Sequence, residues 1–168
     1  MRKLSLLLIT CSLYAATLQE RITHLNTHQV EVMCNTWRIG ASHDLQWTLT
    51  AIAWLESDMG ERLLSPDRQD VGVFQINLIS FRRRYAEQLE MYPRNDDQLR
   101  ELLYDYEVGV TAAIAELTFW KKIHDGNWHK VWASYNSGWV GGGMYARAIS
   151  QRIGILKQYK EGICNGSY

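Results

Sequence analysis

Residues 45–59 read Leu45-Gln46-Trp47-Thr48-Leu49-Thr50-Ala51-Ile52-Ala53-Trp54-Leu55-Glu56-Ser57-Asp58-Met59. Leu45, Leu49, Ile52 and Glu56 recur at a helix period, so one stripe carries three aliphatic side chains and a carboxylate. The stripe is expected to face a core. Desolvation there disfavours the charged carboxylate, so the pKa of Glu56 should rise. A carboxyl that keeps its proton near neutral pH suits a general acid. The plainer reading is a helix-end Glu paired with Arg62.

Outward from this run, helical periodicity dominates. Ser42 or Asp44 suits the N-cap and Gly60 suits the terminus of the 45–59 helix. A preceding helix is expected over 17–36. A polar loop over 61–70 leads to the apolar stretch 71–76, a short strand or irregular ribbon. Short helices are expected over 77–85 and 96–104, the second opened by Asp96 or Asp97. A long helix over 105–124 buries Val110, Ala113, Ile114, Leu117 and Trp120, and Asn127 caps another over 128–136. Gly138 and Gly141-Gly142-Gly143 mark a sharp connection before a last helix over 144–160. The fold class is mainly α, with at most a small β element.

The chain has 168 residues, enough for one domain with a real core. Lys and Arg total 18 and Asp and Glu total 18, so no strong field draws it to nucleic acid or an anionic membrane. Seven Trp and nine Tyr supply core packing or, in a groove, stacking platforms for sugar rings.

Arg2 and Lys3 precede the apolar run 4–13 and then Ala15-Ala16, the plan of a secretory signal peptide. The domain division is therefore 1–16, signal peptide, and 17–168, mature domain, exported to the periplasm. The run is too short for a comfortable membrane span, so the mature form has no transmembrane segment. Leu8-Ile9-Thr10-Cys11 is a poor lipoprotein box because Thr10 is a weak residue there, so a plain signal cut is preferred over anchoring at Cys11. After cleavage 16 basic residues face 18 acidic ones. Cys34 and Cys164 remain, an even pair for a disulfide in an oxidising compartment; the alternative is two separate buried thiols. No His/Cys cluster has metal-ligand spacing. His24 and His28 form an isolated i,i+4 pair, better read as a solvated face. No metal or cofactor is expected.

Three further stretches can carry chemistry. Gly72-Val73-Phe74-Gln75-Ile76-Asn77 joins apolar anchors to two amides, which both donate and accept hydrogen bonds as sugar N-acetyl and hydroxyl groups require. Alternatively, the amides satisfy a turn. Ser134-Tyr135-Asn136-Ser137-Gly138 ends a helix, where Tyr135 can bury its ring and direct its hydroxyl to Glu56 or to a substrate. The bland alternative is a core Tyr and a capping Asn. Glu116, beside the buried side of the long helix, is a rival or auxiliary carboxylate.

In order and approximate spacing, Glu56-Ser57, Gly72 to Asn77 and Ser134 to Gly138 resemble the motifs of the soluble lytic transglycosylase family, in the lysozyme-like superfamily. The family pattern is Glu-Ser, Gly-Leu-Met-Gln and Ala-Tyr-Asn-Ala-Gly. This chain has Val73-Phe74 for Leu-Met, and Ser134 and Ser137 for the alanines. At Asp105-Tyr106-Glu107-Val108-Gly109 the family often has a Pro and then an Asn. The resemblance covers about residues 45–159.

It implies a lysozyme-like fold and cleavage of the MurNAc–GlcNAc β-1,4 bond of peptidoglycan glycan strands. Glu56 would be the catalytic acid and base; Ser57, Gln75, Asn77, Tyr135 and Asn136 would form the substrate site. The product would be a 1,6-anhydro sugar. The short exported form resembles enzymes that open the wall for a secretion or conjugation complex. A hydrolytic goose-type-like lysozyme would instead need a second acid, with Asp58, Asp67 and Asp70 available. A catalytically idle wall-binding assembly module is a further alternative.

Overall fold

Asn26 opens the first long helix in a computed structural model that describes residues 18–164. Its side chain accepts from the Gln29 amide while the Gln29 side chain accepts from the Asn26 amide, a reciprocal capping box. Helix α1 then runs Thr27–Ala41. The helix expected over 17–36 is thus interrupted at residues 24–26, behind a short helical stretch over 18–23, and continues beyond Thr36. The break also takes His24 and His28 off a common helix.

Helix α2, Gln46–Ser57, follows a tight corner. A Cβ on Gly40 would stand 2.7 Å from the Gln46 Cα, so glycine is what lets the helix ends approach this closely. Neither Ser42 nor Asp44 caps α2. Ser42 closes α1, its Oγ donating to the Ile39 carbonyl, and Leu45 takes the N-cap position without a side-chain bond. The corner's backbone geometry outweighs side-chain capping here. α2 ends before Gly60, because Asp58 already adopts the left-handed conformation at φ 56°.

Strands β1, Asp70–Val71, and β2, Ile76–Asn77, pair antiparallel, Asp70 opposite Asn77 and Val71 opposite Ile76. The turn between them needs Gly72 twice over. Its φ is 81°, and an added Cβ would lie 2.3 Å from the Leu103 carbonyl oxygen. Gly72→Ala should therefore destabilise the protein by about 2–4 kcal/mol, read as a lower urea midpoint at unchanged slope. A midpoint within error of the parent would contradict this packing.

Helix α3, Leu78–Arg84, is capped by Asn77, and α4, Asp96–Tyr104, by Asn95 where Asp96 or Asp97 was expected. Asp105 caps α5, Tyr106–Ile123, accepting from the amides of Glu107 and Val108. A carboxylate thus closes the helix start where the family often has Pro and Asn. Asn127 caps α6, Trp128–Ser137, as its position suggested. A 3-10 turn, Gly138–Val140, leads into α7, Gly143–Cys164, longer than the expected 144–160.

One core joins these elements. Leu49, Ile52, Phe74, Phe81, Leu117 and Trp120 are fully buried. α2 packs against α1, α5 and α7, so the helix bearing Glu56 is held on several sides. Cys34 of α1 is bonded to Cys164 at the end of α7. Among the described residues no helix is long and apolar enough to cross a membrane, and no group of three His, Cys, Asp or Glu is placed to hold a metal ion. The leader over 1–16 and Cys11 lie outside the described residues. The fold is mainly α with a two-stranded sheet, as expected.

Candidate active site

Four elements converge on one cleft. α2 brings Glu56, the hairpin brings Asp70, Gln75 and Asn77, α5 brings Glu116, and α6 brings Tyr135 and Asn136. The cleft measures about 360 Å³. Arg84 of α3 and Ser137 and Gly138 complete its wall.

Glu56 sits at the end of the apolar stripe, and its surroundings act as the stripe implied. Burial lifts its carboxyl from 4.5 to about 7. The Tyr145 hydroxyl opposes this by donating to Glu56 Oε1 at 2.5 Å. Asp70 pushes the value further up, and Arg152 and Arg62 pull it down. Arg62 acts through its field, and no ion pair with Glu56 forms. The carboxyl is therefore half protonated near neutral pH and faces an open cleft.

The tyrosine that holds Glu56 is not the expected one. Tyr135 donates its hydroxyl to the Phe74 carbonyl at 2.9 Å, fastening α6 to the hairpin turn. Tyr145, in the first turn of α7, takes the bond to Glu56 instead. Only its place just after the glycine run hinted at a tightly positioned side chain. Tyr145→Phe removes a donor that favours the carboxylate, so the Glu56 pKa should rise further. The alkaline limb of the pH–rate profile should move to higher pH, and the plateau rate should fall about tenfold as the carboxyl loses its aim. An unmoved limb would remove Tyr145 from this role.

Ser57, expected to bind substrate, is fully buried. Its Oγ donates to the Ala53 carbonyl and accepts from the Gly60 amide, tying off α2 just after Glu56. It positions the helix end and offers nothing to a sugar. Gln75 lines the cleft, but its amide nitrogen donates to the Gly72 carbonyl and, at 3.4 Å, to that of Arg62. Asn77 caps α3 with its oxygen and donates to Asp70 at 2.8 Å. Asn136 is exposed on the cleft wall.

Glu116 also lines the cleft, but is tightly engaged. Arg84 bonds both of its carboxylate oxygens, and Trp120 donates its ring N–H at 2.6 Å. This makes it half of a fixed ion pair. Arg84 stands in the run Arg82-Arg83-Arg84, and nothing in that run marks which of the three turns to Glu116. Of the three candidate second acids, Asp70 alone lines the cleft. Asp58 pairs with Arg21, and Asp67 is exposed and bonded to Ser65 and the Gln69 amide. Burial raises the Asp70 pKa, against the pull of the Asn77 bond.

The ordered motifs and this cleft meet a family match over most of the chain: the transglycosylase SLT domain covers residues 33–153. The chain belongs to the transglycosylase SLT domain family. It is also similar to a protein of Enterobacteria phage T4, described as an uncharacterized 20.7 kDa protein in the vs-regB intergenic region. The two are 32% identical over 141 residues, 82% of this chain and 70% of that protein. No solved structure matches the chain. Membership in the SLT family supports a transglycosylase-type enzyme whose substrate is peptidoglycan. The SLT match spans Glu56, the hairpin, α6 and Tyr145, so the whole cleft lies inside it.

Proposed function

We propose that this protein is a lytic transglycosylase that cleaves the MurNAc–GlcNAc β-1,4 bond and leaves a 1,6-anhydro-MurNAc end. The observation that carries this reading is the Glu56 carboxyl, held protonated to about pH 7 by burial and aimed into the cleft by Tyr145. Glu56 gives its proton to the bridging oxygen as the C1–O bond breaks. The oxocarbenium-like centre at C1 is stabilised by the neighbouring N-acetyl group. The Glu56 carboxylate then takes the proton of the C6 hydroxyl, whose oxygen bonds to C1. No water is consumed and Glu56 ends as it began. Because the nucleophile belongs to the same sugar, it is already positioned. This also accounts for how one proton-bearing carboxyl can serve both steps.

Mass spectrometry of the muropeptides released from purified sacculi tests the reading. Anhydro products, lighter by one water than hydrolytic ones, support it; reducing ends alone overturn it. The second reading, a goose-type-like hydrolysis, is favoured by one observation: Asp70 shares the cleft with Glu56 and could hold a water. Under that reading Asp70→Asn abolishes product formation, whereas in the transglycosylase it leaves anhydro products in place.

Export to the periplasm and a role in opening the wall for a secretion or conjugation complex belong to the same proposal. Export rests on residues 1–16. Amino-terminal sequencing of the periplasmic protein, starting near residue 16 or 17, tests that part.

A further inference from the structure

Trp139 is 71% exposed on the 3-10 turn, with Val140 and Met144 more exposed still. A lone exposed apolar side chain needs no explanation, but three gathered at one turn beside a cleft mark a surface that binds something. The position of Trp139 is nonetheless fixed. Its ring packs edge-on against Trp120, with centroids 4.9 Å apart, and more loosely against Phe119. Gly138 and Gly141, on either side, take φ values of 60° and 72° that set the turn.

The turn is continuous with the cleft. Trp120 donates to Glu116, and the Arg84 guanidinium lies 5.5 Å from the centroids of both the Phe119 and Trp120 rings. Glu116, Arg84 and Gly138 are themselves cleft wall. This end of the cleft therefore runs from a compensated Arg–Glu pair to an exposed indole. The pair brings no net charge, and because both Glu116 oxygens are already bonded, the half-buried guanidinium is the side of the pair that offers N–H groups to hydroxyls. A neutral, hydroxyl-rich ring with an apolar face fits such a surface better than an acidic peptide stem.

We propose that Trp139 is a stacking platform for a sugar ring of the glycan strand, removed from the bond being cut, with the Arg84 guanidinium bonding its hydroxyls. This rests on the peptidoglycan reading of the same cleft. It makes Trp139 a determinant of how the strand is held along the groove.

The test uses peptide-free glycan strands of six sugars, with binding measured calorimetrically to the full-length Glu56→Gln protein, which does not cut them. Adding Trp139→Ala should weaken binding about tenfold, and Trp139→Phe should recover most of the loss. Circular dichroism shows that each variant is folded. Equal affinity of the Ala variant overturns the proposal. So does a loss confined to strands that carry stem peptides, which would make Trp139 a peptide contact. Sacculus digestion by the wild type separates the two levels. Anhydro products with unchanged strand binding by the Trp139→Ala variant defeat this inference alone. No released muropeptides at all defeat the enzyme reading and this inference with it.

Discussion

Glu56→Gln is expected to slow muropeptide release from sacculi by about 10³-fold, within the range by which a positioned general acid accelerates bond cleavage. Glutamine keeps the shape of the side chain and can still accept the Tyr145 hydrogen bond, but has no proton to deliver. The same substitution should stabilise the protein in mild alkali. Folded Glu56 holds its proton to about pH 7, whereas the unfolded carboxyl releases it near 4.5. Between those values folding takes up a proton, so stability falls as pH rises through that window, and the loss is complete above pH 7. The difference is on the order of 3 kcal/mol. Urea melts at pH 4 and pH 8 should therefore show the variant gaining over wild type only at the higher pH. A variant that clears labelled wall as fast as wild type would end the catalytic assignment. One that loses activity without gaining stability at pH 8 would show that the carboxyl is not desolvated.

The second large effect involves no residue of the cleft wall. The Cys34–Cys164 bridge closes a loop over a sequence separation of 130 residues, nearly the whole described chain. In the chain-entropy model such a closure stabilises by about 5 kcal/mol. The double variant Cys34→Ser, Cys164→Ser should therefore melt about 10–20 °C lower. Dithiothreitol should bring the wild type to the same value and leave the variant unchanged. A drop below about 2 °C would mean that the reduced ends hold their native positions unaided. The bridge ties α7 to α1, and α7 also carries Tyr145 to Glu56. Its loss should accordingly lower activity at temperatures well below the melting point.

The helices were legible in the sequence because their signals are local. The period of Leu45, Leu49 and Ile52, the cap at Asn127 and the stripe of α5 each lie within one or two turns of chain. Where two local signals compete, the chain follows one of them. The Asn26–Gln29 capping box opens a new helix inside the stretch 17–36, where one unbroken helix is expected from periodicity. At residues 42–45 the favoured cap residues went unused, because the contact between Gly40 and Gln46 fixed the corner.

The sequence alone determined that the domain is helical and that Glu56 stands on an apolar stripe, since both follow from spacing along one helix. The spatial order of the functional groups was decided only in three dimensions. That Tyr145 and not Tyr135 reaches Glu56, that Tyr135 fastens to the Phe74 carbonyl, and that Arg84 neutralises Glu116 depend on packing between α2, α3, α5, α6 and α7. Side-chain partners from different helices are set by how those helices cross, and no period within any one of them encodes that angle.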